Sequence, residues 1–404
     1  MKVNNTERWL RLALGAVVLF FAGIIYAWSI LKTPFAEEFK WSAGLLGLNY
    51  TITICLFCLG GFASGILTKK ISLKLRMIVS AVLLFFGFWI TSRLTADGSN
   101  LLFISYGLLA GCGIGIVYNS VIGATSAWFP DKKGLCSGIL MMAFGFSSLI
   151  LGRIADALMK NETVGWRQTF FVLAIVLGVV LLIAAFLLKT PAQGTIFPSA
   201  KAVGKKQEKT FDRDYSAKEI VMRSSYWRLF LYLFLFSAVG SAAISFARDI
   251  ITDVGGAADV AVTMVGVLAV FNGLGRLLCG ALVDRLGIRR TQALTSIIAI
   301  AAPVVIVLAL LTHSLPFGIV GLCLSGMSYG FSPTMSAAAS STYYGMKYFS
   351  LNFSLMNLTL IPSSFAATVA GQLKASTGAF TTTFIILAVV SVIGQISGLS
   401  VKKP

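Results

Sequence analysis

Charge is almost absent from twelve long runs of this chain, and that constrains its fold more than any motif does. The runs cover residues 12–31, 44–67, 77–92, 101–129, 135–152, 169–188, 229–247, 260–283, 291–311, 317–340, 349–373 and 381–399. A helix needs about 20 predominantly apolar residues to cross the hydrocarbon of a bilayer. The uncharged region 291–346 is too long for one such helix, and Thr312-His313-Ser314-Leu315-Pro316 divides it into two. The expected fold is an all-α membrane protein of twelve transmembrane helices. Charged residues make up 12% of the chain, where a soluble domain carries about 25%.

With Arg153 taken as the outer end of span five, only seven lysines and arginines fall in the odd-numbered connections: Lys32, Lys40, Arg93, Lys160, Arg167, Arg248 and Lys374. Most of the 33 lie on the other side. The positive-inside rule therefore puts both termini in the cytoplasm, and the expected location is the cell's inner (plasma) membrane. This bias accounts for the net charge of +18, so the charge does not argue for a nucleic-acid partner. The run 12–31 is too long for the core of a cleaved signal peptide and reads as the first span. Cys55 and Cys58 are spaced like a redox or metal pair but lie inside an apolar run with no second pair, so they read as core. No cofactor and no metal site is expected, and nothing argues for an oligomer over a monomer.

The one long polar segment separates spans six and seven. The expected organisation is a six-helix bundle at 1–189, a cytoplasmic linker with a short helix at 190–224, and a second six-helix bundle at 225–404. Ser216-Ala217-Lys218-Glu219 matches a capping box, which places a short helix before Tyr226. The cluster Lys205, Lys206 and Lys209 reads either as plain cytoplasmic charge or as a contact for anionic lipid. The halves repeat at an offset of 215 residues. Gly65–Lys74 aligns with Gly280–Arg289, Gly111 with Gly326, and Gly115 with Gly330. Two such halves suggest alternating access, with substrate near the midplane.

Arg276 stands in the eighth run. A guanidinium at that depth costs about 2.5–3.5 kcal/mol on insertion scales, and its default reading is a functional site. It cannot lose its proton to escape the cost. No Asp or Glu lies deep in any run to neutralise it. Two readings follow: a binding site for an anion, or a brace on neighbouring backbone carbonyls. Asn272 lies four residues earlier, on the same helix face. The other basic residue within a span is Arg153, expected to pair locally with Asp156. A single fixed cation compensates one carboxylate, and a second buried negative charge would go unpaired at high cost. That favours a small monocarboxylate such as lactate, pyruvate, formate or acetate.

Gly280-x-x-x-Asp284-Arg285-x-Gly287-x-Arg289-Arg290 resembles the loop motif of the major facilitator superfamily. A degenerate copy follows span two, with Lys69 in place of the acid and Ser72 in place of the second glycine. Tyr26-Ala27-Trp28-Ser29, Tyr118-Asn119, Trp128-Phe129-Pro130-Asp131-Lys132-Lys133-Gly134 and Asn272-Gly273-x-Gly275-Arg276 resemble more closely the oxalate/formate antiporter family and the related monocarboxylate transporters. The resemblance implies two pseudo-symmetric bundles and a carrier of small organic anions. It also implies a gating role for Gly280, Asp284, Arg285, Gly287 and Arg289. With Arg276 and Asn272, the cavity lining is expected to include Tyr26, Trp28, Tyr118, Asn119, Tyr329, Phe331 and Asn357. One departure stands out. The antiporters that name the family place a lysine in span eleven, and Leu360 stands near that position here, which argues against oxalate.

Proton-coupled carriers usually hold an Asp, Glu or His within the membrane. Here His313 falls in an outer loop. Asn272 stands where the animal monocarboxylate carriers have an aspartate. Exchange or facilitated transport is therefore expected over symport. A multidrug carrier, a membrane enzyme and an anion sensor are the rival readings. The first would want a membrane carboxylate and the second a nucleophile with a base.

Overall fold

The computed structural model describes residues 5–192, 195, 197 and 213–401. Twelve of the described helices are long and apolar enough to span a membrane. In chain order the spans are Asn5–Ala27, Leu45–Leu67, Leu73–Thr91, Ser99–Ser126, Gly134–Lys160, Gly165–Leu187, Ser224–Ser245, Thr263–Leu286, Ile288–Thr312, Leu315–Tyr343, Phe349–Lys374 and Thr381–Leu399. Their outer faces are apolar, with Ile396 66% and Ile297 64% exposed. Such surface is costly in water and natural in lipid. Lys205, Lys206 and Lys209 lie outside the described residues.

The chain groups into two compact units. The first comprises Met1–Asp131 and Ala143–Ala200; the second comprises Lys132–Met142 and Lys201–Pro404. The opening turns of span five thus pack with the second unit, and its remainder with the first.

In the first unit, span one begins earlier than the charge-free run, because its two arginines find partners. Arg8 pairs with Asp131 and lies 4.3 Å over the Phe129 ring. Arg11 binds Glu7 at 2.9 Å and the Leu187 carbonyl. At its far end the helix tightens into a 3₁₀ stretch, Gly23–Ala27. Spans two and three each start on a serine cap, with Ser42 and Ser72 accepting from Leu45 and Leu75 N–H at 3.2 Å. Span four carries a π-helical stretch, Phe103–Ala110. The expected Arg153–Asp156 pair is replaced. Asp156 accepts from Lys160 at 2.7 Å, because a lysine four residues after an acid is the better-oriented partner.

In the second unit, the linker helix forms at Ala217–Val221 with both hydrogen-bond arms of the capping box in place. Gly287 separates spans eight and nine at φ 77°, a backbone that L side chains adopt at a cost. Its repeat counterpart, Ser72, sits instead at φ −60° and caps a helix. Span eleven is two helices, Phe349–Asn357 and Leu360–Thr377. Pro362 has no N–H to offer the Leu358 carbonyl, so the ladder fails there.

The repeat offset holds in three dimensions within each unit. In the first, a Cβ on Gly60, Gly111 or Gly115 would meet the backbone of Cys112, Thr53 or Phe57 at 2.5, 2.8 and 2.0 Å. In the second, one on Gly275, Gly326 or Gly330 would meet the backbone of Met327, Leu268 or Asn272 at 2.4, 2.6 and 2.1 Å. Every partner differs by the same 215 positions. Spans two and four, and spans eight and ten, are therefore joined by one contact repeated. Its bare glycines let backbones touch, the device that packs helices in lipid.

Candidate substrate site

Span eight places Asn272 and Arg276 one turn apart. Both are buried, with Arg276 1% exposed. Its Nε donates to Asn272 Oδ1 at 3.0 Å, and its Nη1 donates to the Met141 carbonyl at 2.6 Å. Both acceptors are neutral. The guanidinium is thus oriented by its own helix and met by the backbone of span five. The two readings of this arginine are compatible with one site, since a carbonyl brace and an anion use the same N–H groups.

Gly330 of span ten abuts this turn, so the backbone between Tyr329 and Phe331 runs beside Asn272 and Arg276. The Tyr329 side chain turns to Gly240 of span seven, and the Phe331 carbonyl accepts from Cys279 Sγ at 3.7 Å. Asn357 is buried at the last turn before the break in span eleven. Leu360 opens the next helix, so span eleven presents no charge there.

In the first unit, Tyr26 and Tyr118 gather on Phe144, at ring distances of 5.4 and 4.9 Å. Phe57 joins them, 5.2 Å from Tyr118. Asn119 is buried opposite Gly61. Trp28 is buried: its indole N–H donates to the Leu46 carbonyl at 3.0 Å and its ring lies 4.5 Å from Tyr106. Sequence reasoning passed over Asn49. It is 0% exposed, faces Gly107 of the π-helical stretch, and neither end of its amide has a hydrogen-bond partner among the described residues. The signal was the one used for Asn119, an amide in an apolar run.

The loop-motif residues divide by role. Asp284 accepts from the backbone N–H of Gly134 at 2.9 Å and of Leu135 at 2.7 Å, the start of span five. Its carboxylate there meets two orphan donors and the positive end of the helix dipole. A Cβ on Gly280 would lie 2.2 Å from the Gly134 carbonyl oxygen. Arg285 and Arg289 are exposed. The Trp128–Gly134 run is an anchor. Trp128 Nε1 donates to the Lys189 carbonyl at 2.7 Å, Phe129 and Asp131 hold Arg8, and Gly134 meets Asp284.

The family model described as Major Facilitator Superfamily matches residues 12–368. The chain belongs to the major facilitator superfamily. Among curated members it is 24% identical over 392 residues to the oxalate:formate antiporter of Oxalobacter formigenes, covering 96% of this chain and 90% of that one. It is 22% identical over 387 residues to monocarboxylate transporter 12 of Rattus norvegicus, covering 88% and 76%. Among solved structures, the fold is similar to the Escherichia coli fucose:proton symporter FucP (TM-score 0.71, 16% identity, 98% and 100% covered). It is also similar to the proton:xylose symporter XylE (TM-score 0.75, 13% identity, 97% and 94% covered). This major facilitator protein is therefore a membrane transporter and not an enzyme. Its small-molecule substrate is the open question.

Proposed function

We propose that this chain carries small monocarboxylates by alternating access, with Arg276 as the carboxylate-binding group. The observation that carries the reading is a guanidinium buried in span eight and met by two neutral oxygens, those of Asn272 and Met141. An arginine so placed grips a carboxylate through two parallel hydrogen bonds. It lies eight residues from Asp284, roughly 12 Å at 1.5 Å per residue, a depth suited to a midplane site. The antiporter and monocarboxylate transporter among its relatives support an organic anion. Leu360, at the family's lysine position, supports one negative charge over two. Asn272 cannot carry a proton, which supports exchange or facilitated transport over symport. Positive-inside charge supports cytoplasmic termini.

The test is uptake of labelled L-lactate into proteoliposomes, wild type beside Arg276→Ala, with formate, pyruvate and oxalate as competitors. The expected result is Arg276-dependent uptake blocked by the monocarboxylates and spared by oxalate. Oxalate as the strongest competitor would move the substrate to the dicarboxylates. Binding without uptake into a sealed vesicle would make the chain a sensor.

A further inference from the structure

We propose that the backbone carbonyl of Met141 is a built-in competitor for Arg276, and that a bound carboxylate displaces it and unlocks the first turns of span five from span eight. The inference rests on the monocarboxylate reading above and names how that site is regulated.

A guanidinium can hold a carboxylate at two points along two edges, Nε with Nη2 or Nη1 with Nη2. Each edge includes a nitrogen already donating: Nε to Asn272 at 3.0 Å and Nη1 to Met141 at 2.6 Å. A two-point grip therefore competes with one of these bonds. Asn272 shares a helix with Arg276 and orients it. Met141 belongs to another span, so the Nη1 edge is where exchange changes the packing. The exchange runs downhill, because the carbonyl is a neutral dipole and the carboxylate carries a full charge. The Met141 bond is charge-assisted on the guanidinium side alone, whereas a bond to a carboxylate is charged on both sides.

The rest of the contact between these helix segments gives the exchange its consequence. The segment Lys132–Met142 packs with the second unit, and span eight holds it at two places. Asp284 grips its start through Gly134 and Leu135 N–H. Arg276 grips it two turns later through Met141. Between the two grips the helices touch through glycine. A Cβ on Gly138 would lie 2.9 Å from the Arg276 carbonyl oxygen, and one on Gly280 would lie 2.2 Å from that of Gly134. This close glycine packing is the apolar part of the hold, and the two polar grips are the part that a bound anion can compete with. One of them is on the residue that binds substrate.

Two measurements on the full-length protein in lipid nanodiscs test this. The first is calorimetric titration with formate and lactate, wild type beside Arg276→Ala, which tests the site alone. The second is hydrogen exchange, by mass spectrometry, of peptides covering residues 134–145 with and without saturating formate. The expected result is Arg276-dependent binding together with exchange in this segment accelerated several-fold. Binding with unchanged or slowed exchange there would overturn the latch and leave the site reading intact. Absence of Arg276-dependent binding would overturn both. A second variant probes the competitor directly. Gly138→Ala forces the two backbones apart without touching the guanidinium, so formate Kd should fall by about tenfold, the size of one charge-assisted hydrogen bond. An unchanged or raised Kd in a folded Gly138→Ala protein would also overturn the proposal.

Discussion

Asn272 Oδ1 accepts from Arg276 Nε at 3.0 Å, one turn up the same helix. The guanidinium is thereby oriented by its own helix, and the amide oxygen, being neutral, cancels none of its charge. An aspartate at position 272 would cancel it. Asn272→Asp is therefore expected to pair with Arg276 and to admit an anion only when protonated. Uptake in proteoliposomes should become strongly dependent on an inward proton gradient. Uptake as indifferent to pH as in the wild type would count against the exchange reading.

Arg276→Lys separates charge from geometry. Lysine keeps the cation and loses the planar fork. Monocarboxylate affinity should fall about tenfold for Arg276→Lys and about 100-fold or more for Arg276→Ala, by calorimetric titration. Affinity in Arg276→Lys equal to wild type would mean that the fork is not used.

Asp284→Asn keeps one acceptor at the start of span five and removes the charge that complements its dipole. The expected cost is about 1 kcal/mol, read as a Tm lowered by a few degrees in detergent. A Tm equal to wild type would mean the contact contributes nothing to the fold.

The glycine contacts predict steep differences between alanine variants. Gly330→Ala drives a methyl to 2.1 Å from the Asn272 carbonyl oxygen and should cost about 3 kcal/mol or more. Gly47→Ala meets nothing within 4 Å and should stabilise its helix slightly. Thermal unfolding of the two side by side checks the packing; similar melting temperatures would refute it.

Glu38 gives a pH dependence outside the membrane spans. The Trp166 indole N–H, helped by Arg167 and opposed by partial burial, holds its carboxyl below the usual carboxylate range. A depressed carboxylate stabilises the folded state above the ordinary value of about 4.3 and loses that contribution as pH falls through its own lower value. Glu38→Gln should therefore lower Tm at neutral pH, with the gap to wild type closing in acid below about pH 4. A gap constant with pH would mean that the charge plays no part.

The twelve spans were legible because charge in lipid is costly enough to leave long blanks in a sequence. The linker helix was legible because a capping box is local chemistry: Ser216 and Glu219 need only each other. Asn272 and Arg276 were legible as one face from their spacing alone. Met141 was not, because every residue has a carbonyl, and only the fold decides which one an arginine reaches. The early start of span one was hidden for the same reason: Arg8 is admitted by Asp131, 123 residues away. Asp156 went to Lys160 rather than to Arg153, a choice between two local partners that spacing alone leaves open.

A joint made of glycine against backbone has no rotamers to rearrange and no side chain to swing aside. Spans two and four, and spans eight and ten, are accordingly the stiff struts of their units. Bending within the second unit then falls to the place where the helical ladder is already broken, the Leu358-Thr359 turn in span eleven. Spin labels flanking this break would report motion that labels across the glycine joint of spans eight and ten would miss.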